Sequence, residues 1–289
     1  MEANAYFIWV KMNKNINQSI GWIDGEWGST DALTIPINDR GLTLGDGVFE
    51  TIAISNGRPK LIIDHLKRFK KGAALLGMAA PPSHGEIFPL IQEGIDRLSL
   101  HKNNGSIRLN WSRGSSNQRG INIDSNTNKE SNHRFWLEIH ASEPIFNSVS
   151  AIISQCEKRN PNSQLSHCKS FNYGQAIQAK REAQLAGVEE AILLSVNGQV
   201  SCGSASNIFI LREKKWLTPS SKSGCLNGVM RQQALKVGIL NEAEISPKPE
   251  EEDQWILINS LSCRPIKSLN GGTLSTYANC KELWEILSN

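Results

Sequence analysis

The sequence predicts a mixed α/β (α+β) protein built from two domains. Its 289 residues are enough for two domains of ordinary size, each able to bury its own hydrophobic core. Along the chain, strand-like runs joined by Asp-Gly or Asn-Gly turns alternate with segments whose apolar residues have helical spacing. We expect a small N-terminal domain over residues 20–145 and a larger C-terminal domain over residues 150–289.

Composition and charge narrow the functional class. The 31 Lys and Arg residues against 28 Asp and Glu give a formal charge of +3, and the basic residues are spread along the chain. This distribution argues against a nucleic-acid-binding protein, although scattered arginines can still converge on a small anionic substrate. The six cysteines form no C-x-x-C pair and have no His at zinc-ligand spacing. We therefore expect a cytoplasmic protein without a metal site or a disulfide framework.

The first 19 residues are predicted to be a disordered leader. The only apolar run near the start, "AYFIWV", is too short for a signal sequence or a membrane span, so we expect no association with a membrane. Met12 is an alternative start of the chain, which would leave residues 1–11 as an extension.

The N-terminal half contains two predicted hairpins, two helices and two further strands. The segments "GWIDGEWGS" and "TIAISNGRPKLIID" each carry a turn dipeptide between strand-like runs. In "DHLKRFKKGAALLGM" the apolar residues have helical spacing, with Asp64 or a neighbour as the N-cap and Gly77 as the end. A second helix is predicted over "HGEIFPLIQEGIDRLSL", followed by the strands "GSIRLNWSRG" and "HRFWLEIHAS".

The C-terminal half begins with the strand "VSAIISQCE" and the helix "NYGQAIQAKREAQLAG", whose start is marked by Asn172. The run "EEAILLSVNGQVSCGSASNIFIL" then predicts strands around an Asn-Gly turn. Further on, the glycine-bearing loop of "SGCLNGVMRQQALKVG" leads directly into a helix. The backbone N–H groups of Val229 and Met230 at this helix start lack an intrahelical acceptor, so they predict an anion site.

The order and spacing of these motifs over residues 20–289 resemble the class IV aminotransferases, the fold-type IV family of pyridoxal-phosphate enzymes. The matching segments are "WIDGEW", "INDRGLTLGDGVFET", "HLKRF", "RLNWSRG", "CKSFNYGQAIQAKREA", "ILLSVNGQVSCGSASNIFIL" and "LNGVMRQQAL". The resemblance implies the fold of the D-amino acid aminotransferases, with a small N-terminal α/β domain and a larger mixed α/β domain around a barrel-like core. It also implies the cofactor pyridoxal 5'-phosphate and a homodimer with the cleft near the interface. The glycines of "DRGLTLGDGVFET" would let the backbone approach that cleft.

The same resemblance implies roles for single residues. Lys169, which by itself would be a surface cation, is implied to bind the cofactor covalently and to move protons during turnover. Arg68 is implied to bind the cofactor phosphate together with the N–H groups of Val229 and Met230. The remaining residues implied at the cofactor site are Tyr173, Cys202, Ser206, Asn207 and, near a further phosphate contact, Asn259 or Ser260.

One position departs from the family pattern. Most relatives have "VTEGSTSN" where this chain has "VSCGSASN", so Cys202 replaces the acidic residue that faces the pyridine nitrogen. A carboxylate keeps that nitrogen protonated and makes the ring a strong electron sink, whereas a thiol with an ordinary pKa of about 8.5 does so poorly. The replacement favours elimination with an aromatic product, or a weakened enzyme, over transamination. The alternative is that Cys202 is only a small core residue.

Substrate-side residues favour a lyase. The segment "SRGSSNQRG" is similar to that of the aminodeoxychorismate lyases and supplies Arg113 and Arg119 from one loop, which suits a substrate with two carboxylates. A solvated hairpin loop is the alternative for both arginines. Phe49 stands where D-amino acid transaminases have a Tyr, and "NSLSCRPI" differs from the "GTAAE" of branched-chain enzymes.

The resemblance thus predicts a 4-amino-4-deoxychorismate lyase that forms 4-aminobenzoate and pyruvate for folate synthesis. Its expected ligand is a small dicarboxylate, with neither nucleic acid nor membrane as a partner. An aminotransferase acting on branched-chain or D-amino acids is the first alternative. A pyridoxal-phosphate-binding protein with weakened catalysis is the second.

Overall fold

Two β-sheets with helices packed against them make up the fold. The structure is a computed structural model that describes residues 19–117, 119–123 and 132–289. The predicted leader lies outside these residues except for Ser19, which begins the first strand. Within the described residues, no helix is both long enough and apolar enough to cross a membrane.

The first sheet has, in the described chain, six strands in the order β2-β1-β6-β5-β3-β4, and each neighbouring pair is antiparallel. Its strands and the helices between them are β1 Ser19–Ile23, β2 Glu26–Gly28, α1 Arg40–Leu44, β3 Gly47–Ser55, β4 Arg58–Pro59, α2 Ile62–Leu75, α3 His84–Arg97, β5 Gly105–Ser112 and β6 Arg134–Ala141. Helices α2 and α3 pack on this sheet and bury apolar side chains, among them Phe69, Ile91 and Leu137, in one core.

The second sheet is mixed, in the order β12-β11-β10-β13-β14-β7-β8-β9, with β15 paired to β14. Its strands and associated helices are β7 Val149–Arg159, α4 Gly174–Leu185, β8 Glu190–Ser195, β9 Val200–Gly203, β10 Asn207–Arg212, β11 Lys215–Pro219, α5 Val229–Lys236, β12 Leu240–Ala243, β13 Gln254–Asn259, β14 Ser262–Leu269, β15 Gly272–Thr273 and α6 Cys280–Leu287. The predicted domain boundary falls between β6 and β7 and stays a prediction.

Both predicted hairpins of the N-terminal half are confirmed. Asp24 and Asn56 have left-handed backbone, with φ of +51° and +48°, and a glycine follows each of them. Two successive residues with positive φ give the turn a twist that matches the twist of a strand pair. The Asp-Gly and Asn-Gly dipeptides therefore determine where β1 and β3 turn back.

Two helix starts differ from the prediction. Helix α2 begins directly after Leu61, whose φ is +49° and whose side chain makes no capping hydrogen bond. The prediction of Asp64 or a neighbour as the cap is therefore wrong, because Asp64 and the residues next to it lie within the first turns of the helix. Helix α4 begins at Gly174, and the side-chain amide of Asn172 donates instead to the Gly45 carbonyl at 3.0 Å.

The segment just before α4 joins the two sheets. The Phe49 N–H on β3 donates to the Lys169 carbonyl at 2.8 Å, and the Phe171 N–H donates to the Gly47 carbonyl at 2.9 Å. A Cβ on Gly47 would lie 2.3 Å from the Phe171 ring, so only glycine allows this approach. The glycine-rich start of β3 thus brings the first sheet against the residues that precede α4.

Candidate active site

A cavity of about 760 Å³ lies where β3 meets the segment before α4. This volume is within the usual range for small-molecule sites. Its charged lining residues are Arg68, Arg108, Glu138, Arg159 and Lys169. Four of these five side chains are cationic, so the cavity is suited to an anionic ligand.

The amine of Lys169 is held by aromatic side chains. Its Nζ donates to the Tyr173 hydroxyl at 2.8 Å and lies 4.1 Å from the centroid of the Phe49 ring. The rings of Phe49 and Tyr173 meet edge to face, with centroids 5.2 Å apart. The lysine amine therefore has a defined position in the cavity, with one hydrogen-bond partner and an aromatic face beside it.

Arg68 on α2 is oriented by a buried carboxylate on β3. Its Nε and Nη2 each donate to one oxygen of Glu50 at 2.7 Å, which is the two-pronged geometry that suits a guanidinium. Glu50 also accepts a hydrogen bond from Nδ1 of His65 at 2.7 Å. Nε2 of His65 accepts one from the Ser260 hydroxyl at 3.3 Å. The chain of contacts runs from Arg68 through β3 and α2 to the loop after β13.

Charge and burial set the protonation states of this network. Desolvation alone would raise the pKa of Glu50, but the Arg68 charge and the hydrogen bonds from Arg68 and His65 outweigh it and lower the pKa to about 2. Burial lowers the pKa of His65, and its bond to Glu50 offsets only part of that effect. We conclude that Glu50 is ionised and His65 neutral, which agrees with His65 donating at Nδ1 and accepting at Nε2.

The start of α5 presents backbone N–H donors, and the residue before the helix is a glycine. A Cβ on Gly228, the residue before α5, would lie 2.1 Å from Oδ1 of Asn207. Asn207 Nδ2 donates to the Leu226 carbonyl at 2.8 Å and so fixes this loop. No side chain caps the helix, and the N–H groups of Val229 and Met230 have no acceptor within it. These donors remain available to an anion in the cavity.

Polar side chains from the loop after β9 and the end of β13 complete this side of the cavity. Asn259 Nδ2 donates to the Ser206 hydroxyl at 3.1 Å. Ser206, Asn259 and Ser260 all line the cavity. Because the Ser260 hydroxyl contacts His65, these groups lie on the side of the cavity that Arg68 occupies.

Cys202 on β9 lines the cavity as well. Desolvation raises the pKa of its thiol to about 11, and the nearby Arg159 guanidinium offsets only part of that effect. The thiol is therefore neutral at physiological pH. Arg159 is itself fixed, because it donates to the Gly224 carbonyl at 3.1 Å, to Oε1 of Gln175 at 2.9 Å and to the Ser166 carbonyl at 3.3 Å.

The structure brings most of the predicted site residues into this one cavity. Those that line it are Phe49, Arg68, Lys169, Tyr173, Cys202, Ser206, Asn207, Val229, Met230, Asn259 and Ser260. The two predicted substrate arginines do not line it. Arg113 is 1% exposed, and it donates to Asp46 at 2.8 Å and to the carbonyls of Leu76 and Gly77 at 2.7 and 3.0 Å. Arg119 is exposed, and its contact with a substrate stays a prediction.

The sequence did not reveal the cavity wall that β5 and β6 form. Arg108 and Asn110 on β5 pair with Glu138 and Trp136 on β6, and all four side chains line the cavity. The alternation of apolar and polar residues in "IRLN" and "FWLE" shows which residues share a face. It does not show that this face borders a cavity, because the opposite wall comes from residues far along the chain.

Comparison with known proteins identifies the family. The sequence profile described as amino-transferase class IV matches residues 47–269. The chain therefore belongs to the class IV aminotransferases, enzymes whose cofactor is pyridoxal phosphate. The predicted family is confirmed.

The chain is similar to proteins with different reactions. A D-alanine aminotransferase from Bacillus licheniformis is 27% identical over 260 residues, which cover 84% of this chain and 86% of the relative. An aminodeoxychorismate lyase from Bacillus subtilis is 26% identical over 258 residues, which cover 86% of each chain. The structure of the branched-chain amino acid aminotransferase from Escherichia coli matches with a TM-score of 0.79, at 19% identity and with 92% of both chains covered. The predicted fold is thus confirmed. Sequence identity to these relatives does not show whether this chain catalyses transamination or elimination.

Proposed function

We propose that this protein is a pyridoxal-phosphate-dependent 4-amino-4-deoxychorismate lyase that supplies 4-aminobenzoate for folate synthesis. The reaction breaks the bond between the ring and the enolpyruvyl oxygen and releases pyruvate. The proton that leaves the amine-bearing ring carbon balances the proton that pyruvate gains, so no other reactant is consumed. The substrate carries two carboxylates, which suits a cavity with an excess of cationic groups.

The residues of the cavity fit the cofactor. Arg68 and the N–H groups of Val229 and Met230 would hold its phosphate, and Gly228 leaves the space that a Cβ would fill. Cys202 would face the pyridine nitrogen, as its place in the family motif implies. When bound, the cofactor withdraws electrons from the amine-bearing carbon of the substrate.

Lys169 would anchor the cofactor and move the proton. Its Nζ would take the proton from the amine-bearing ring carbon as the bond between the adjacent ring carbon and the enolpyruvyl oxygen breaks, with the electron pair of that bond staying on the oxygen. Nζ would then give the proton to the leaving enolpyruvate, which becomes pyruvate. Tyr173 keeps Nζ in the cavity through their 2.8 Å hydrogen bond. Phe49 covers one side of the amine with its ring and keeps water from that side.

The neutral thiol of Cys202 supports the choice of a lyase over an aminotransferase. Transamination needs a protonated pyridine nitrogen, and a thiol with a pKa of about 11 supplies no negative charge to hold that proton. Elimination depends less on a protonated pyridine nitrogen, because the formation of an aromatic ring provides a driving force of its own. Among the described residues that line the cavity, Glu138 is the one carboxylate, and it lies on the wall formed by β5 and β6.

A class IV aminotransferase is the second candidate function. It is supported by the relatives, since the D-alanine aminotransferase from Bacillus licheniformis and the lyase from Bacillus subtilis differ by one percentage point in identity to this chain. An enzyme of this kind would need another group to protonate the pyridine nitrogen in place of Cys202.

We further propose that the enzyme acts as a homodimer in the cytoplasm. Its six cysteines are free thiols in the structure, which suits a reducing compartment. A dimer with the cavity near its interface would agree with the exposed apolar side chains beside the cavity.

Incubation of the cofactor-loaded protein with 4-amino-4-deoxychorismate tests the proposed function. We expect 4-aminobenzoate and pyruvate to appear in equal amounts, and Lys169→Ala to abolish both. Lys67→Ala is the matched control, because Lys67 is an exposed residue of α2 outside the cavity lining. If the loaded parent protein releases neither product, the lyase is rejected.

A further inference from the structure

A buried arginine lies behind the helix start that the proposed function assigns to the cofactor phosphate. Arg231 belongs to the first turn of α5 and is 1% exposed. It is not among the described residues that line the cavity. Burying a guanidinium is costly, so its donors need well-placed acceptors. The partners of Arg231 therefore indicate what its burial achieves.

One end of the Arg231 guanidinium is fixed to the second sheet. Nη2 donates to the carbonyl of Pro219, the last residue of β11, at 2.9 Å, and it also pairs with the Glu242 carboxylate on β12. The strands β11 and β12 are parallel neighbours. The hydrogen bond from Arg231 and its charge lower the pKa of Glu242, so the carboxylate is ionised at neutral pH. This end of the side chain therefore has a rigid support.

The other end holds the loop before α5. Nη1 of Arg231 donates to Oδ1 of Asn227 at 3.0 Å. The backbone carbonyl of Asn227 accepts from Nε2 of Gln232 at 2.9 Å and lies 3.5 Å from Nη1 of Arg68. Asn227 directly precedes Gly228, the N-cap residue of α5. The bond from Arg231 thus restrains the residue that sets the direction of the chain as it enters the helix.

Stability alone does not explain this arrangement. Nε of Arg231 is buried and has no hydrogen-bond partner within the described part of the chain. An unpaired buried donor lowers stability, and replacing a buried ion pair by apolar side chains often leaves a protein as stable or more stable. What an apolar side chain at this position could not provide is a fixed direction for the side chain of Asn227.

We propose that Arg231 is a positioning residue that acts through Asn227 to aim the N–H groups of Val229 and Met230 at the cofactor phosphate. The inference rests on the phosphate placement in the proposed function, and it is independent of the lyase activity. Hydrogen bonds weaken steeply when the donor points away from the acceptor, so a small rotation of the preceding peptide costs affinity for the anion. Neither Arg231 nor Asn227 lines the cavity, so both act through the loop.

Titration of the cofactor-free protein with pyridoxal 5'-phosphate and with pyridoxal, which lacks the phosphate, tests the inference. Visible absorption measures both dissociation constants. Asn227→Ala removes the acceptor of the Arg231 bond at an exposed position, and Arg231→Met removes the guanidinium. We expect the dissociation constant for pyridoxal 5'-phosphate to rise about 10-fold in Asn227→Ala and about 30-fold in Arg231→Met. The dissociation constant for pyridoxal should stay within about twofold of the parent's.

Two controls match these variants. Asn103→Ala removes an exposed asparagine whose amide donates to the Ser99 carbonyl at 3.3 Å, away from the cavity lining. Arg212→Met removes a half-buried arginine of β10 that pairs with the buried Asp253. Both controls should keep the parent's ratio of the two dissociation constants. A protein that has lost its fold binds neither ligand, and if Arg231→Met does not fold, Asn227→Ala decides.

The outcomes separate this inference from the proposed function. A parent protein that binds both ligands equally would reject the phosphate placement, and with it the role of Arg231. A parent that prefers pyridoxal 5'-phosphate, with a ratio in Asn227→Ala within twofold of the parent's, would reject the positioning role alone. Equal loss of affinity for both ligands in Asn227→Ala would also reject it, because such a loss reports general damage to the cavity. The assay contains no lyase substrate, so a protein without lyase activity would give the same result.

Discussion

Cys202 lines the cavity from β9, and the resemblance of its motif to the family implies that relatives carry a carboxylate at this position. With its pKa raised to about 11 by desolvation, the thiol keeps its proton throughout the range from pH 6 to pH 9. It therefore adds no step to the pH dependence of the rate in this range. Two charges act on the thiol, the Arg159 cation, which lowers its pKa, and the Glu190 carboxylate, which raises it by a smaller amount.

Replacing Cys202 by Glu should restore a strong electron sink. We expect the ratio of transamination to lyase activity to rise at least about tenfold, because the new carboxylate stabilises the protonated pyridine nitrogen. A tenfold change corresponds to a decrease of about 1.4 kcal/mol in the activation free energy of transamination. The measurement compares the formation of pyridoxamine phosphate from D-alanine or leucine with the formation of 4-aminobenzoate. Cys202→Ser, which stays neutral, is the control and should keep the ratio of the parent. A parent protein that already transaminates as fast as Cys202→Glu contradicts this account.

The sequence predicted cavity residues where a short motif of consecutive residues resembles the family. Lys169, Arg68 and Cys202 each lie in such a motif, and all three line the cavity, while their roles stay predictions. Arg113 was not predictable, because its guanidinium binds Asp46 and the carbonyl of Leu76, which lie 67 and 37 residues away in the chain. Such partners satisfy a buried charge only in the folded molecule, so a motif that suggests a substrate contact cannot reveal them.

Among the elements, β3 and α2 are joined by the buried contact of Glu50 with His65 and Arg68. The contact joins the strand that borders Lys169 to the helix that carries Arg68. Because Glu50 is ionised and fully enclosed, its charge must be matched by Arg68 for the pair to be stable. The same pairing keeps the guanidinium on the side of the cavity where α5 begins, since Arg68 Nη1 lies 3.5 Å from the Asn227 carbonyl.

Glu50→Gln should destabilise the fold by about 3 kcal/mol at pH 7 and weaken cofactor binding, because Arg68 loses its counter-charge and its orientation. The pKa of Glu50 is about 2 in the fold against 4.5 as the ordinary value, so its stabilisation is complete above pH 4.5 and is lost as the pH falls towards 2. The difference in free energy of unfolding between parent and variant should shrink over that window. Urea unfolding at pH 7, 4.5 and 3 measures it.

Glu93→Gln is the control for this prediction, because Glu93 pairs with Arg97 on the surface of α3. An exposed pair of this kind contributes about 0–1 kcal/mol, so the control should unfold nearly as the parent does at each pH. Equal destabilisation by Glu50→Gln and Glu93→Gln would show that the buried network has no special role.

The secondary-structure elements were predictable where turn residues and hydrophobic periodicity agree, as in the hairpins at Asp24 and Asn56. The strand order of the first sheet was not predictable from the sequence. Strand β1 lies between β2 and β6, and the pairing of Ser19 with His140 joins segments from opposite ends of that half of the chain. Such a pairing depends on long-range packing, and alternation within a strand shows its faces but not its neighbours.

On the scale of the whole molecule, large apolar side chains are exposed in two chain segments that meet at Arg40. Ile37, Leu42 and Ile121 are 87%, 64% and 78% exposed, and Leu42 also lines the cavity. Arg40 holds their two segments together, because its Nη2 donates to the Ile121 carbonyl at 3.3 Å. Grouped apolar surface of this kind commonly marks a protein interface, which supports the proposed homodimer.

Leu42→Asp should convert the proposed dimer to a monomer, because burying a carboxylate without a partner in an apolar interface is costly. Sedimentation velocity of parent and variant at the same concentration measures this. Ile286→Asp is the control, since Ile286 is 61% exposed on α6, and it should leave the parent's oligomeric state unchanged. A monomeric parent protein, or a variant that stays dimeric, would remove this support.

The most direct measurement offers the loaded enzyme its two possible reactions at once. The protein is mixed with 4-amino-4-deoxychorismate and D-alanine, and 4-aminobenzoate, pyruvate and pyridoxamine phosphate are quantified over time. Pyruvate in excess of 4-aminobenzoate reports transamination of D-alanine. We expect equal amounts of 4-aminobenzoate and pyruvate, with the cofactor retained in its aldehyde form. Conversion of the cofactor to pyridoxamine phosphate, without release of 4-aminobenzoate, would contradict it and make the protein an aminotransferase.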